Sequence, residues 1–423
     1  MRQLVWALLY SLAIRRKRIG VAFAGYRDGD AMALLQLRPG RDDPYVIYDR
    51  MRREGTLSPT RLGNWVSTSY RVCNTVLRDR RFGVGHGFGV DFPDDPSALA
   101  LRPSMVQLNP PDHTRLRQAL QPAFRPGSIA AYEPFVEATV GRLLDRAEAA
   151  GRFDLVTTLA EPLPVAVITN MMGISEKDIG AEKLARYGAA IVYLLDGVRS
   201  LRHMAQLKAT DRALTALFTT LSLQRREASG DDLLSRMVAA EGNQIKPDEL
   251  LPLCTILLTG GMETTINTVS SAVNALLDHP DQWDALCADP HTLAPRAVEE
   301  TLRYDPPVQV TSRIALQPLE LEGKHIRQHQ AVVTLLGAAN RDPEVFPDPN
   351  RFDIHREQTV EHLAFASGIH YCLGQPLARL EATVALRCLA QRMPGLRRAG
   401  AFRRRNTTAI RGLTRLPVQA GAR

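Results

Sequence analysis

Lysine is nearly missing from this chain: the 53 basic residues are 47 arginines and 6 lysines, set against 45 acids for a net charge of +8 over 423 residues. A basic excess raises nucleic acid as a partner. No stripe of cations interleaved with aromatics and no reader motif is present, however, and Arg15-Arg16-Lys17-Arg18 and Arg403-Arg404-Arg405 are short local clusters. Nucleic acid is therefore set aside, and the charge reads as solvated surface or as a face for an acidic protein partner. Cysteine is also scarce. Cys73, Cys254, Cys287, Cys372 and Cys388 are well scattered and form no Cys-x-x-Cys, which excludes a disulfide framework and a zinc site and points to a reducing, cytoplasmic compartment. Long apolar runs are wanting at the amino end. Leu4 to Ile14 is apolar for 11 residues before its basic cluster, short of the roughly 20 residues that span a bilayer. Most of its cations follow the apolar stretch, the reverse of a signal peptide. Residues 1–25 then either dock on the core, touch a membrane peripherally or act in export. No internal repeat or low-complexity tract is evident.

What is present begins with Phe365-Ala366-Ser367-Gly368-Ile369-His370-Tyr371-Cys372-Leu373-Gly374. One cysteine stands on a glycine-bounded loop directly ahead of a helical pattern that includes Pro376, Leu377, Leu380 and Val384 and stops at Met393-Pro394-Gly395. Peptide N–H groups and the positive end of that helix are expected to favour the thiolate. Taken alone, the same cysteine also reads as a small buried hydrophobe.

This stretch resembles the haem-binding loop of the cytochrome P450 family, with Phe365, Gly368, His370, Cys372 and Gly374 all on its pattern. The resemblance implies haem b with iron and Cys372 as the axial thiolate, whose electron push favours O–O cleavage. The implied reaction is a monooxygenation of a hydrophobic small molecule by O2.

A second apolar run, Leu250 to Leu277, starts at Lys246-Pro247-Asp248-Glu249 and stops at His279-Pro280. As a helix it would be about 40 Å long. Its centre reads Leu257-Leu258-Thr259-Gly260-Gly261-Met262-Glu263-Thr264-Thr265, and each internal glycine costs about 1 kcal/mol relative to alanine. Close helix packing would compensate, as would the approach of a flat cofactor to a locally loosened helix. The run is similar to the family's oxygen-activation motif, which implies catalytic roles for Gly261, Glu263 and Thr264, the last two as an acid and an alcohol at one groove.

Glu300-Thr301-Leu302-Arg303 places two opposite charges three residues apart on a helix from about Ala294 to Tyr304. Such a pair is usually solvated; its distance from the cysteine loop, with Arg351-Phe352 and Arg356 between, resembles the family's structural ion-pair network. His113 and Arg117 fall at i, i+4 after Pro110-Pro111. With Arg313 and His370 they match the family's partners of the haem propionates.

The length suggests about three domains, but the motifs from His113 to Gly374 need one shared pocket, so residues 1–423 are expected to form a single domain. The periodicity predicts a mainly α fold with small β-sheets, helical from Asp112 onward, with strands near Tyr45 to Tyr48, Arg313 to Gly337 and Ile410 to Val418. The family fold would hold haem between the glycine-bearing helix and the cysteine-loop helix. The likeness runs from about Pro44 to Val418 and is greatest to actinobacterial members without an assigned substrate.

The resemblance further implies a substrate pocket built from Phe82 to Gln107, Leu184 to Leu207, Val308 to Val310 and Ile410 to Leu413. The candidate lining residues are Phe88, Val90, Leu257, Gly260, Val308, Val310 and Ile410. Gly83-Val84-Gly85-His86-Gly87-Phe88-Gly89 reads as a mobile lid, since it lacks a phosphate-loop pattern. Steroid, fatty acid, terpenoid and polyketide substrates all remain open. Electrons are expected from an acidic ferredoxin or similar donor, with Arg115 and Arg379 as candidates for its docking face. A peroxide-driven oxygenase and a non-catalytic haem sensor or carrier are the alternatives.

Overall fold

A computed structural model describes residues 2–61, 63–85 and 104–421, apart from the side chains of residues 2–11 and 13. In chain order it has α1 (Arg2–Tyr26), α2 (Ala31–Leu35), α3 (Arg38–Asp42), α4 (Tyr45–Glu54), β1 (Ser58–Pro59), β2 (Trp65–Ser67), α5 (Tyr70–Arg78) and β3 (Phe82–Gly83). The helical middle comprises α6 (Asp112–Leu120), α7 (Pro126–Ala130), α8 (Glu133–Ala150), α9 (Pro162–Met172), α10 (Ala181–Leu194), α11 (Leu201–Glu227), α12 (Leu233–Ala239), α13 (Leu250–Asp278), α14 (Pro280–Ala288) and α15 (Pro290–Tyr304). Strand β4 (Arg152–Asp154) lies between α8 and α9. The last part holds β5 (Val310–Ala315), β6 (Leu319–Leu321), β7 (Lys324–Ile326), β8 (Ala331–Leu335), α16 (Leu336–Ala339) and α17 (Gln375–Arg392). It closes with β9 (Arg397–Arg398), β10 (Arg403–Arg404), β11 (Leu413–Arg415) and β12 (Pro417–Gln419).

Helix α13 is the axis of the core. Its start is fixed by Glu249, whose carboxylate accepts the Lys246 N–H at 2.8 Å, and every residue from Thr265 to Leu276 is buried. Side chains of α8, α9, α15 and α17, among them Leu144, Leu163, Val298 and Leu386, share one apolar cluster with Leu258, Val269 and Val273 of α13. Burial of that apolar surface is the main drive to this packing. The principal sheet has strand order β1-β2-β8-β5-β3, with β2 and β8 parallel and the other pairs antiparallel.

Two expectations about elements need correction. Residues 45–48 are helical, not extended: Tyr45, Tyr48 and Met51 are buried in α4 at a spacing of three, and the Asp43 carboxylate accepts the Tyr45 N–H at 3.0 Å to start the turn. β-branched and aromatic content had suggested a strand, and the tertiary face chose the helical period. Helix also begins long before Asp112, in α1 to α5. The strands expected within 313–337 and 410–418 are present as β5 to β8 and as β11 and β12.

Candidate active site

The cysteine loop is held in place before its cysteine is reached. Gly368 has φ +71°, and a Cβ there would lie 2.3 Å from the carbonyl oxygen of Leu77 at the end of α5. Only glycine fits such a backbone contact. Ala366 also adopts a positive φ, +60°, a conformation that costs about 1–3 kcal/mol in a non-glycine residue and tends to mark functional loops. The Cys372 N–H closes the loop onto the Phe365 carbonyl at 3.0 Å, and the Arg379 guanidinium lies 4.6 Å from the Phe365 ring centre.

Cys372 is accessible although protein atoms surround it, which describes a sulfur facing an internal hollow. Burial pushes its thiol up from the ordinary value, against the N–H groups of Gly374 and Gln375 and the cations Arg117 and Arg379. The expected preference for thiolate is thus reversed in the protein alone; a bound metal ion would restore it, since a coordinating thiol is deprotonated outright. A Cβ at Gly374 would meet nothing within 4 Å, so open space lies beside the loop there.

Across the core, α13 presents Gly260 exposed and Leu257, Gly261 and Thr264 partly exposed, just ahead of the buried stretch Thr265 to Leu276. The helix is not broken by its glycine pair. Instead the Thr264 hydroxyl donates to the Gly260 carbonyl at 3.0 Å and Thr265 to that of Gly261 at 3.2 Å, back-bonds that tend to bend a helix slightly.

Glu263 looks elsewhere. It is buried, and Arg405 donates to its carboxylate at 2.7 Å; Gly188 of α10 lies against it. Burial drives the Glu263 carboxyl above its usual range despite Arg405, with Glu161 adding to the rise. The expectation of acid and alcohol side by side at one groove is corrected: adjacent helical residues do not share a face. Arg405 also departs from the reading of residues 403–405 as solvated charge, because it is buried and Arg404 pairs with Asp305 at 3.3 Å.

His113, Arg117, Arg313 and His370 converge. The His113 and His370 rings are 4.2 Å apart, and His370 is pushed down to about 3 by burial and then by Arg313, His113 and Arg117. Arg313 is buried and reaches the Ser312 carbonyl at 2.9 Å and Thr311 Oγ1 at 3.4 Å; burial pulls it down to about 10. His113 Nδ1 and His370 Nε2 are buried without a partner, and none of the four makes an ion pair with a carboxylate among the described residues. Orphaned donors in a cationic cluster suit a dianionic group, so these residues fit the two propionates of haem.

Glu300 and Arg303 are each 1% exposed and joined by two bonds of 2.7 and 2.8 Å. Arg303 also donates to the carbonyls of Asn340, Pro349 and Arg351, and Glu300 accepts the Asp353 N–H and Arg356 Nε. Of the pocket candidates, Val308 and Ile410 form a β-bridge and Val310 pairs with Leu335; Phe88 and Val90 lie outside the described residues, as does most of the glycine-rich lid. Arg115 and Arg379 are engaged, the first by Glu249 and Asp112 and the second by Glu299, which leaves them little charge to offer a partner.

Sequence reasoning did not single out Asp196. From the link between α10 and α11 its carboxylate accepts the Thr408 and Ala409 N–H groups at 2.7 and 2.8 Å, tying that link to the turn that carries Ile410. Nothing in its local sequence, an Asp beside a glycine, marks it out.

This geometry agrees with comparisons to known proteins. The family pattern described as Cytochrome P450 matches residues 95–393. The chain belongs to the cytochrome P450 family and is a monooxygenase of that family. A putative cytochrome P450 140 of Mycobacterium tuberculosis (strain ATCC 25618 / H37Rv) is 37% identical over 98% of this chain and 97% of its own. The cytochrome P450 monooxygenase PikC of Streptomyces venezuelae is 38% identical over 89% and 91%. The structure of P450BioI in complex with hexadec-9Z-enoic acid ligated acyl carrier protein superposes with a TM-score of 0.85 at 35% identity, covering 90% of this chain and 99% of that one. Membership implies a haem-thiolate cofactor.

Proposed function

We propose that residues 1–423 form one haem b monooxygenase domain that hydroxylates a hydrophobic small molecule, with Cys372 as the residue whose thiolate would hold the iron. The single observation that carries the reading is Cys372 itself: an accessible sulfur on a strained, glycine-fitted loop, enclosed by protein and approached by the Gly374 and Gln375 N–H groups. When bound, haem with thiolate supplies dioxygen binding and O–O cleavage.

The chain's own residues do the rest. His113, Arg117, Arg313 and His370 would hold the propionates, and Gly260 keeps the α13 wall free of a side chain, whereas Gly261 lets α9 approach, a Cβ there lying 3.4 Å from Ile168. The Thr264 hydroxyl donates its proton to the Gly260 carbonyl, which leaves its oxygen lone pairs to accept a hydrogen bond from the hollow. Glu263, buried and paired with Arg405 at 2.7 Å, fastens α13 to the chain near residue 405 on a face other than that of Thr264. Leu257, Val308, Val310 and Ile410 line an apolar pocket; a fatty acyl group, as carried by the partner of P450BioI, is one occupant such a wall accepts. Electrons come from an acidic ferredoxin-type donor attracted by the positive net charge. The five free cysteines are consistent with cytoplasmic residence.

The deciding experiment is the carbon monoxide difference spectrum of the reduced protein. A long-wavelength band, lost in Cys372→Ala, is the expected result. Haem bound with only a short-wavelength band would remove Cys372 from the iron and the proposed roles with it.

A further inference from the structure

Helix α1 turns large apolar side chains outward. Leu12, Ile19, Phe23 and Tyr26 are 53%, 69%, 51% and 64% exposed. Their spacing of seven, four and three residues keeps them within an arc of roughly 60°. The docked side lies across the helix. Gly25 is buried there, and a Cβ on it would lie 2.6 Å from Leu37 and 3.4 Å from Leu34, so the carboxyl end of α1 is seated on α2 and its neighbours. One turn earlier the helix is free: a Cβ on Gly20 would meet nothing within 4 Å.

The charge on α1 is of one sign. Arg2, Arg15, Arg16, Lys17 and Arg18 lie among its 25 residues with no acidic residue. Arg15 and Arg16 flank the apolar stripe on either side. Residues 15–18 are all exposed, and none of them makes an ion pair among the described residues. A second copy of the chain seated on this stripe would bring the same cations against these and be repelled. A surface of anionic lipid would neutralise them, at about 1 kcal/mol for each cation near the headgroups. No helix among the described residues is long and apolar enough to cross a membrane, so the arrangement suits a helix that lies in the interface.

We propose that α1 is an interfacial helix that seats this enzyme on an anionic bilayer. Leu12, Ile19, Phe23 and Tyr26 enter the headgroup boundary, and Arg15 and Arg16 on the two flanks of the stripe meet lipid phosphates. Lys17 and Arg18 lie about 150° and 110° from the centre of the stripe and contribute only longer-range attraction to the anionic surface. The site is distinct from the cysteine loop, and it would bring the pocket close to substrates dissolved in the membrane.

The test uses the full chain and flotation with vesicles of phosphatidylcholine alone or with about 30% phosphatidylglycerol, at low and high salt. Binding to the anionic vesicles is expected, weakened by salt. It should fall roughly fivefold for each charge removed in R15Q and R16Q, less in K17Q and R18Q, and at least tenfold in the paired I19S/F23S variant. The carbon monoxide spectrum of each variant reports whether the remainder is intact, independently of flotation. Equal binding to both vesicle types, or equal binding by I19S/F23S and the parent, would overturn the proposal. So would no flotation together with a dimer in sedimentation that I19S/F23S abolishes, since the stripe would then belong to a second copy.

Discussion

Thr264 and Glu263 adjoin in the chain but face different surroundings, because one residue of α-helix is a turn of about 100°. Thr264→Ala should retain haem and the long-wavelength carbon monoxide band while product per electron falls, by about 10²-fold where the proton relay limits the rate; the balance should emerge as peroxide, measured against reductant consumed. Glu263 depends on Arg405 for more than orientation. Arg405→Leu leaves a buried carboxylate without its cation and should cost about 3–5 kcal/mol, seen as a lower melting midpoint. The double variant Arg405→Leu/Glu263→Gln should recover part of that loss, and a double variant no better than the single would show that the pair is not coupled. His370 is held down to about 3 by burial, Arg313, His113 and Arg117, and an anion placed among those cations would raise it again.

At the level of elements, α15 is fastened to the chain beyond it by a single guanidinium. Arg303 binds Glu300 and three carbonyls from 340 to 351, a planar fork that lysine cannot reproduce. Arg303→Lys should therefore destabilise by several kcal/mol, about 3–5, and lower the yield of haem-loaded protein; a melting midpoint equal to the parent's would contradict the role. The Glu-x-x-Arg spacing was legible in the sequence, but burial of both charges was not, since the carbonyls that satisfy Arg303 lie 37 to 48 residues away. The link between α10 and α11 is fastened in another way. Loss of the Asp196 carboxylate in Asp196→Ala frees two N–H groups of the 408–409 turn, and cleavage by trypsin at Arg199 or Arg202 should quicken severalfold. Unchanged cleavage would mean that this contact does not hold the link.

Across the whole molecule, acid should act through buried and partly buried carboxylates that are paired in the fold. Burial alone would raise Glu299, but His362 and Arg379 hold it at about 2, below the 4.5 of an unpaired glutamate. Burial likewise opposes Asp305, which Arg411, Arg404 and Arg341 keep at about 2. A carboxyl whose folded value is depressed stabilises fully above its unfolded value and loses that contribution as pH falls through the folded one. The melting midpoint should thus decline from about pH 4.5 toward pH 2. Glu299→Gln should be less stable than the parent at pH 6, with the gap closing over that window; a gap independent of pH would exclude the carboxylate as its source.

The cysteine loop, the glycine pair of α13 and the Glu300–Arg303 spacing were written in short segments, because each depends on local geometry: a turn that needs glycine, a helical face, an i, i+3 pair. From them the family, the mainly helical fold and its small sheets could be read without coordinates. The tertiary structure alone decided which way those residues look. It turned Glu263 from Thr264 toward Arg405, 142 positions away. It folded Tyr45 to Tyr48 into helix against the strand their composition suggested, and brought His113 within 4.2 Å of His370. Those outcomes depend on which distant surface lies opposite a side chain, and burial against that surface outweighs the small local preferences that a sequence displays.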